Sequence, residues 1–355
     1  MTFARHTALS VALLSGVFAG VLVGAPAVSP ARADDVADFY KNKTIDLVIG
    51  YSPGGTYDLY ARLVGRFIGE HIPGKPKVVV RNMPGGGSRV AAGFVYSIAP
   101  KDGTVIATGD QSLAVEQAMG DKAITFDTNR FQYIGNPNAE NNTFATWYTT
   151  GVKTIEDARK TEIAVGATGG STSSQYPKAM NAILGTKFKI IVGYPGGNDI
   201  NLALEKGEVG ARGSNSWTGW KATRPDWLRD KKINILVQIG LKKASDLQDV
   251  PLLMDLATNE ADRAVLKLLS ASVEVGRPLY VGPDVPAARV AALRKAFDET
   301  MTDPVFIETA AREHFDIQPV SGVEMQRVVG EITSTPKAIA DRLHEIIGGI
   351  EQNTK

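Results

Sequence analysis

Residues 45–58 read Ile45-Asp-Leu-Val-Ile-Gly-Tyr-Ser-Pro-Gly-Gly-Thr-Tyr-Asp58, an apolar strand that runs directly into a Pro-Gly-Gly loop and then into a helical pattern. Apolar residues recur at helical spacing over residues 59–68, so a helix is predicted to follow the loop. Glycines let the backbone fold closely around a small ligand, and the first N–H groups of the helix have no partners within it. The segment therefore predicts a strand–loop–helix unit that can bind an anion. An ordinary strand–turn–helix joint is the alternative for this loop taken alone.

Alternation of strands and helices continues along the chain and predicts an α/β fold with parallel strands covered by helices on both faces. The first series has strands at 45–51, 78–80 and 104–108, with one helix ending near residue 72 and another at 89–98. The second series has strands at 163–165, 189–194 and 233–239, with helices at 176–184 and 200–206. A helix at 260–269, a strand near 279–281 and three C-terminal helices, including 287–301 and 336–352, complete the prediction.

Residues 126–148 lack a strong helical period and separate the two series. We interpret this segment as the first crossing between two α/β lobes, because no low-complexity linker joins them. The predicted organisation is a signal peptide at 1–33, the first part of lobe 1 at 34–130, lobe 2 at 131–248, and a return to lobe 1 with the C-terminal helices at 249–355.

The N-terminus is typical of a secretory signal peptide. Arg5 precedes an apolar stretch over residues 8–23, and small residues lead to Ala31-Arg32-Ala33, after which cleavage is expected. An uncleaved membrane anchor is the alternative, but the apolar stretch is short for a spanning helix and no basic flank follows it. The mature protein is therefore expected in a bacterial periplasm. The absence of cysteine excludes a disulfide scaffold and thiol chemistry but is compatible with export.

Composition and residue patterns exclude several classes of function. The chain has a formal net charge of +1, and its basic runs are short, so no nucleic-acid partner is expected. His6 lies in the leader, and His71, His314 and His344 have no metal-ligand spacing, so neither a metal nor a cofactor is expected. No ordered Ser/His/Asp set, paired carboxylates or cofactor fingerprint is recognisable, which argues against an enzyme.

A second glycine loop, Val165-Gly-Ala-Thr-Gly-Gly-Ser-Thr-Ser-Ser174, also lies between a predicted strand and a predicted helix. Its backbone amides and hydroxyls can donate hydrogen bonds to an anion. A nucleotide phosphate loop is disfavoured because the required lysine is missing. Two more glycine loops, at 194–199 and 81–88, also follow strands, and such loops are where α/β sheets bind ligands. Two lobes that each carry such loops predict a ligand cleft between them.

Taken together, these motifs resemble the substrate-binding receptors of tripartite tricarboxylate transporters, the family of the citrate receptors and the Bordetella uptake-gene receptors. The resemblance extends over nearly the whole mature chain. It is carried by Pro53–Asp58, by Arg81-Asn82-Met-Pro84-Gly85, by Ala99-Pro-Lys-Asp-Gly-Thr104 with Lys101 inserted, by Gly169–Ser174, by Val192-Gly-Tyr-Pro-Gly-Gly197, and by the C-terminal segment from Pro283 to Pro304. The order and spacing of the motifs, more than any single one, make the resemblance specific.

The resemblance implies a type II periplasmic binding protein, in which two α/β lobes joined by crossing strands close on a small carboxylate. By analogy, the ligand-binding residues are expected to be Ser52, Gly54, Gly55, Thr56 and Asp58 on lobe 1, and Thr168, Gly169, Ser171, Thr172, Ser173 and Asn215 on lobe 2. Asp58 is either a helix cap only or also a partner for water or a ligand amine. The implied partners are the carboxylate and separate membrane permease subunits, and the chain is expected to be a monomer.

Several departures from the family pattern concern the ligand. Tyr51-Ser52 replaces Phe-Pro, Gln175 stands at the position of the loop histidine, Gly193-Tyr194-Pro195 replaces Pro-Tyr-Lys, and Gly210 replaces an acidic residue. These changes leave the backbone donors intact, so anion binding is expected to persist with altered specificity. Aromatic candidates for the pocket wall are Tyr51, Tyr57, Trp147, Tyr194, Trp217 and Trp220, with core packing or surface exposure as the alternative for each.

The expected function is therefore capture of a small carboxylate by hinge closure, followed by delivery to a membrane permease. A di- or tricarboxylate and an aromatic carboxylate are both compatible with the motifs. Presentation of the ligand to a membrane sensor kinase is an alternative, and an exported enzyme acting on a carboxylate is a weaker one.

Overall fold

A computed structural model of the chain describes residues 33–348, with side chains from Asp35 onward. Residues 1–32 of the predicted signal peptide and the predicted helical residues beyond Gly348 lie outside the described residues. Within 33–348, no helix is both long enough and apolar enough to cross a bilayer.

The strands of the described residues form two sheets. They are β1 (Thr44–Ile49), β2 (Lys77–Asn82), β3 (Val105–Thr108), β4 (Gln132–Asn136), β5 (Asn142–Trp147), β6 (Ile163–Gly166), β7 (Phe188–Ile191), β8 (Ala211–Ser216), β9 (Ile233–Ile239), β10 (Leu279–Val281) and β11 (Val320–Ser321). The first sheet has the order β11-β4-β10-β3-β1-β2, and the second has the order β7-β6-β8-β5-β9. We call the first sheet with its helices lobe 1, and the second sheet with its helices lobe 2.

The helices follow the strands in the alternating order that the sequence predicts. They are α1 (Ala33–Tyr40), α2 (Thr56–His71), α3 (Arg89–Ser97), α4 (Leu113–Ala118), α5 (Ile155–Lys160), α6 (Thr172–Ala179), α7 (Gly197–Glu205), α8 (Trp217–Thr223), α9 (Pro225–Arg229), α10 (Glu260–Val275), α11 (Ala287–Thr302), α12 (Pro304–Arg312), α13 (Gly322–Thr333) and α14 (Lys337–Gly348). Four described helices follow β10, one more than predicted, because Pro304 separates α11 from α12.

Each sheet contains a parallel trio extended by antiparallel strands. In lobe 1, β1 pairs in parallel with β2 and β3, while β10 runs antiparallel to both of its neighbours, β3 and β4. In lobe 2, β6 pairs in parallel with β7 and β8, while β5 runs antiparallel to β8 and β9. The predicted α/β architecture with parallel strands is thus present in both lobes. The carboxyl ends of the parallel strands are where each lobe can place ligand loops.

The chain passes from the first sheet to the second between β4 and β5. The segment 126–148, predicted as a crossing, therefore contains two strands as well as the crossing itself. Strand β4 belongs to the first sheet, so the sheet assignment places the crossing within residues 137–141. The return follows β9, and the chain re-enters the first sheet at β10. The lobe boundaries at 130/131 and 248/249 remain a prediction.

Strand β8 is the element that sequence patterns miss. Its residues, Ala-Arg-Gly-Ser-Asn-Ser, have no apolar run, yet all of them are buried between β6 and β5. Gly213 allows this position, because a Cβ there would lie 1.9 Å from the backbone oxygen of Ser173 in α6. A polar strand is thereby held tightly against the N-terminal turn of α6.

Candidate functional site

A buried cavity of about 60 Å³ lies where loops of the two lobes meet. It is small beside pockets for drug-sized ligands, which measure roughly 300–1,000 Å³. The predicted ligand residues that line it are Gly55, Thr56, Thr168, Ser171, Thr172, Ser173 and Asn215. The predicted residues Ser52, Gly54, Asp58 and Gly169 are not among its lining residues.

The Asp58 carboxylate holds the first glycine loop in shape by accepting hydrogen bonds. Gly54 has a φ of +85°, which glycine adopts without strain, and its N–H donates to the Asp58 carboxylate at 2.9 Å. Arg62 and Asn82 also donate to this carboxylate, at 2.9 and 2.8 Å. Burial alone would raise the pKa of Asp58, but these hydrogen bonds outweigh it and lower the pKa. The Asp58 side chain thus holds the loop in shape and does not cap α2, whose N-cap is Gly55.

Ser52 and Gly169 lie where the lobes contact each other. The Ser52 hydroxyl donates to the Asp199 carboxylate of α7 at 2.6 Å, and its N–H donates to the Pro195 carbonyl at 3.2 Å. Gly169 lies against the loop of lobe 1 that contains Gly87. A Cβ on Gly87 would approach the carbonyl oxygens of Gly169 and Gly170 to 2.6 and 2.1 Å. The contacts at Ser52 and at Gly169 both join the two lobes, as expected for a closed arrangement.

The hydroxyls before α6 form a cluster of their own. Ser171 caps α6 by accepting from the Ser173 N–H, and Ser173 Oγ accepts from the Thr168 N–H at 2.9 Å. The hydroxyls of Thr168, Ser171 and Ser173 also bond to one another. The Thr172 N–H at the start of α6 lies near the Asp110 carboxylate of lobe 1 and opposes the rise of its pKa. One N–H of the predicted anion site therefore already faces a carboxylate of the protein.

Arg212 on β8 is the functional candidate that the sequence prediction missed. It lines the cavity with 6 % of its surface exposed. Its hydrogen bonds go to neutral oxygens only: the Ser214 carbonyl at 3.0 Å, Asn201 Oδ1 at 2.8 Å and Asn215 Oδ1 at 3.0 Å. Burial, assisted by the nearby charge of Arg224, lowers the pKa of Arg212 to about 9. A buried cation with no acidic partner among the described residues suits an anionic ligand.

A sequence signal for Arg212 does exist. No element is predicted for residues 207–232, and a structureless segment of that length is unusual inside a compact domain. The segment in fact holds β8, α8 and α9. The length of this unassigned segment, more than its residue pattern, indicates that it contains secondary structure.

Asn215 lies beside Arg212 and retains an unused donor. Its Oδ1 accepts from Arg212 and from the Thr56 hydroxyl of lobe 1, the latter at 3.2 Å. Its Nδ2 is buried and has no hydrogen-bond partner in the part of the chain that the structure describes. Because arginine can only donate, the contact with Arg212 fixes the oxygen of the Asn215 amide and leaves the nitrogen for another acceptor.

The lobe 1 wall of the cavity contains Asp110, which follows β3 and is 3 % exposed. The Tyr51 hydroxyl and the Ser112 N–H donate to its carboxylate. Burial is the largest influence and raises the pKa of Asp110, although these donors oppose the rise. None of its hydrogen-bond donors in the described part of the chain is a cation.

A second arginine of the wall, Arg277, is neutralised within the protein. Its Nη2 donates to the Glu140 carboxylate at 2.8 Å, and its guanidinium lies over the Tyr60 ring at 4.3 Å. The side chains of Arg277 and Glu140 are both largely buried, so each charge compensates the other away from water. Arg212 and Arg277 therefore differ in charge balance although both line the cavity.

Outside the cavity, Glu116 links the lobes. It accepts from Gln175 of α6 at 2.7 Å and from Ser112 at 2.8 Å, and Arg89 forms an ion pair with it. Burial raises the pKa of Glu116 to about 7, against the opposing charge of Arg89. Gln175, at the position where the family has a histidine, thus contacts the opposite lobe and not the cavity.

The aromatic candidates separate into two groups. Tyr51 and Tyr57 line the cavity with their ring centroids 4.9 Å apart. Trp220 is fully buried and donates to Thr143 Oγ1, and Trp147 packs edge-to-face on Trp227. Tyr194 and Trp217 are half-buried and are not among the cavity-lining residues. Core packing is therefore the role of Trp147 and Trp220.

Known proteins resemble this chain in sequence and in structure. No family model matches the chain. A Cupriavidus necator protein described as "UPF0065 protein in gbd 5'region" is 25% identical over 342 residues, which cover 93% of this chain and 95% of the relative. The periplasmic binding protein BugD is similar in structure, with a TM-score of 0.70 at 17% identity over 87% of this chain and 99% of BugD. MatC from Rhodopseudomonas palustris, solved with bound malate, gives a TM-score of 0.67 at 18% identity over 86% of this chain and 99% of MatC.

These similarities confirm the fold class predicted from the motifs, the two-lobed type II periplasmic binding fold. They also agree with the predicted resemblance to the receptors of tripartite tricarboxylate transporters. The cavity described above lies where this fold brings the loops of its two lobes together.

Proposed function

We propose that this chain is a periplasmic solute-binding receptor that captures a small carboxylate between its lobes and delivers it to a separate membrane permease. The observation that carries the proposal is the buried cavity between the lobes, whose wall holds Arg212 with no acidic partner in the described residues. An anion there compensates a charge that the protein leaves uncompensated.

The donors around the cavity favour an oxygen-rich anion. Asn215 offers an unused amide N–H₂, and the hydroxyls of Thr56, Thr168 and Ser171 can rotate toward a ligand. The predicted ligand residues Ser52, Gly54, Asp58 and Gly169 would then act behind this wall, by shaping the loops and joining the lobes. MatC, a protein of the same fold, was solved with malate, which agrees with a carboxylate ligand.

Closure supplies the mechanism of capture. Contacts between the lobes, such as Ser52 with Asp199 and Thr56 with Asn215, are present in this structure, and opening of the cleft would break them. A ligand that bridges the lobes adds contacts to the closed form alone, so it shifts the equilibrium toward closure. The closed shape is then the form that a permease recognises, and the receptor acts as a monomer.

Thermal unfolding against a ligand panel tests the proposal. The full chain is expressed in a Gram-negative host, purified from the periplasm and freed of bound ligand before the scan. A ligand at one hundred times its dissociation constant should raise the free energy of unfolding by about 2.7 kcal/mol. Stabilisation by one class of carboxylates supports the function, whereas no response to any carboxylate from folded, ligand-free protein contradicts it. N-terminal sequencing of the same sample tests cleavage after Ala33.

A further inference from the structure

We propose that the ligand carries a single carboxylate, held by Arg212 and Asn215 on strand β8, and that Asp110 on the opposite wall excludes a second carboxylate. This inference rests on the proposed function and narrows its ligand class to monocarboxylates. It follows from the charges that line the cavity and from the donors that remain unused there.

Three charged side chains, those of Arg212, Arg277 and Asp110, line the cavity. Arg277 is neutralised by Glu140 at 2.8 Å, so it adds little net charge to the cavity. Arg212 and Asp110 remain, and each is bonded only to neutral groups among the described residues. One cation without an acidic partner can compensate one carboxylate, and the described residues that line the cavity include no second such cation.

Arg212 has donors left for a ligand. Three of the hydrogen bonds described above use three of its five N–H groups, which leaves two donors on a planar guanidinium. Such a fork matches the two oxygens of a carboxylate. The bonds to Asn201 and to the Ser214 carbonyl fix the orientation of the guanidinium, so little side-chain freedom is lost on binding.

Asn215 supplies an independent indication of an acceptor at this place. Its Nδ2 has no partner among the described residues, although Asn215 is only 4 % exposed and lines the cavity. A buried amide donor without a partner costs free energy, so the site is incomplete without an oxygen opposite it. Since Asn215 and Arg212 bond to each other, one carboxylate can reach both.

Asp110 makes the opposite wall unsuitable for another anion. Its carboxylate already accepts from the Tyr51 hydroxyl and the Ser112 N–H, so these donors are used within the protein and are not available to a second carboxylate. The hydroxyl of Tyr57 is also engaged, because it donates to the Gly276 carbonyl and accepts from the Gln111 N–H. The part of the ligand that faces this wall is therefore neutral or donates hydrogen bonds.

Matched pairs of probes test the ligand class by calorimetric titration. The pairs are butyrate with succinate, lactate with malate, and benzoate with terephthalate, and butyramide controls for the charge. In every pair that binds, the monocarboxylate should bind at least ~10-fold more tightly than the dicarboxylate, because two like charges are brought together in a buried site. Butyramide should bind more weakly than butyrate by a similar factor.

Variants assign the effect to residues. Arg212→Gln should weaken binding of the best monocarboxylate by ~30-fold or more, since the ligand charge is left buried and unpaired. Asn215→Asp keeps the acceptor for Arg212 but replaces the free donor with an anionic oxygen, so it should weaken binding as well. Asp110→Asn should reduce the preference for the monocarboxylate. Arg224→Gln is the matched control, because Arg224 carries the same charge near Arg212 without lining the cavity.

The outcomes separate this inference from the proposed function. If a dicarboxylate binds as tightly as its monocarboxylate partner, or if Arg212→Gln and Arg224→Gln have equal effects, the ligand class is wrong while carboxylate binding stands. If Arg212→Gln does not fold, as judged by circular dichroism, Asn215→Asp and Asp110→Asn decide the matter. If no probe of either class binds to the wild type, the proposed function fails and this inference fails with it.

Discussion

The glycine loop of lobe 1 and strand β8 of lobe 2 both border the cavity, but they contribute to it in opposite ways. The loop at 53–58 is conspicuous in the sequence, and its polar groups are largely satisfied within lobe 1, with Asp58 as the common acceptor. Strand β8 has no recognisable motif, yet it carries Arg212 and Asn215, of which the first has no acidic partner and the second has an unused donor within residues 33–348. The loop motif thus indicates the conformation of the backbone, whereas buried polar groups without partners indicate where a ligand binds.

The largest expected effect concerns the close packing of β8. Gly213→Ala should lower the free energy of unfolding by about 3 kcal/mol, because overpacking a tight site is costly. The new Cβ would meet the Ser173 carbonyl at 1.9 Å, and this oxygen belongs to the backbone. Denaturant titration measures the change.

Gly169→Ala is the matched control from the loop region, because a Cβ at Gly169 has no neighbour within 4 Å. It should change the free energy of unfolding by no more than about 0.5 kcal/mol. Equal effects of the two substitutions would show that β8 does not pack against α6 as described.

A second prediction concerns the loop and its acceptor. Asp58→Ala should lower the free energy of unfolding by about 2 kcal/mol, because the Gly54 N–H and the Asn82 amide lose a buried partner. Asp46→Ala removes an acid from a more exposed ion pair, that with Arg81, and should cost less than about 1 kcal/mol.

The pH dependence of this effect has a definite sign. The pKa of Asp58 is lowered in the folded protein, so its stabilising contribution is present above the ordinary value of 3.8 and is lost as pH falls through the lowered value. The difference between wild type and Asp58→Ala should therefore shrink as pH falls below 4. A difference that grows toward acidic pH would contradict the described hydrogen bonds.

A third prediction concerns Glu116, the buried acid that joins the lobes outside the cavity. Its pKa is raised from 4.5 to about 7, chiefly by burial, with Arg89 opposing and Asp110 assisting. Its contribution to stability is therefore complete below pH 4.5 and is lost as pH rises through 7. Between pH 5 and pH 8, wild type should lose about 2 kcal/mol of unfolding free energy relative to Glu116→Gln. Parallel pH profiles for the two proteins would show that Glu116 titrates normally.

The sequence predicts much of the framework around both regions. The predicted strands at 233–239 and 279–281 coincide with β9 and β10, and the unit of β1, glycine loop and α2 lies within a few residues of its prediction. These elements have apolar runs at a clear period, because one face of each is buried against helices. Strand β8 is not predicted because its buried residues are mostly polar and form no apolar run.

The residues of the site likewise divide into those that the sequence predicts and those that it does not. Residues placed by the glycine and hydroxyl pattern, such as Thr56 and Ser171, do lie at the cavity wall. Asp110 and Arg212 carry the charge of that wall, and no local pattern indicates them, because their environment is assembled from segments distant in sequence. Contact of the predicted ligand residues with a ligand stays a prediction.

The smallest expected effect sharpens the comparison at Ser52, a predicted ligand residue whose hydroxyl instead donates to Asp199 of the opposite lobe at 2.6 Å. Because this contact requires a closed cleft, Ser52→Ala should weaken ligand binding by roughly 3- to 10-fold, the loss of one hydrogen bond, with little change in unfolding free energy. The exposed Ser97 on α3 provides the control substitution Ser97→Ala. A double-mutant cycle with Asp199→Ala separates the two roles of Ser52. Non-additive effects on the dissociation constant identify a contact between lobes, whereas additive effects would show that Ser52 contacts the ligand independently of Asp199.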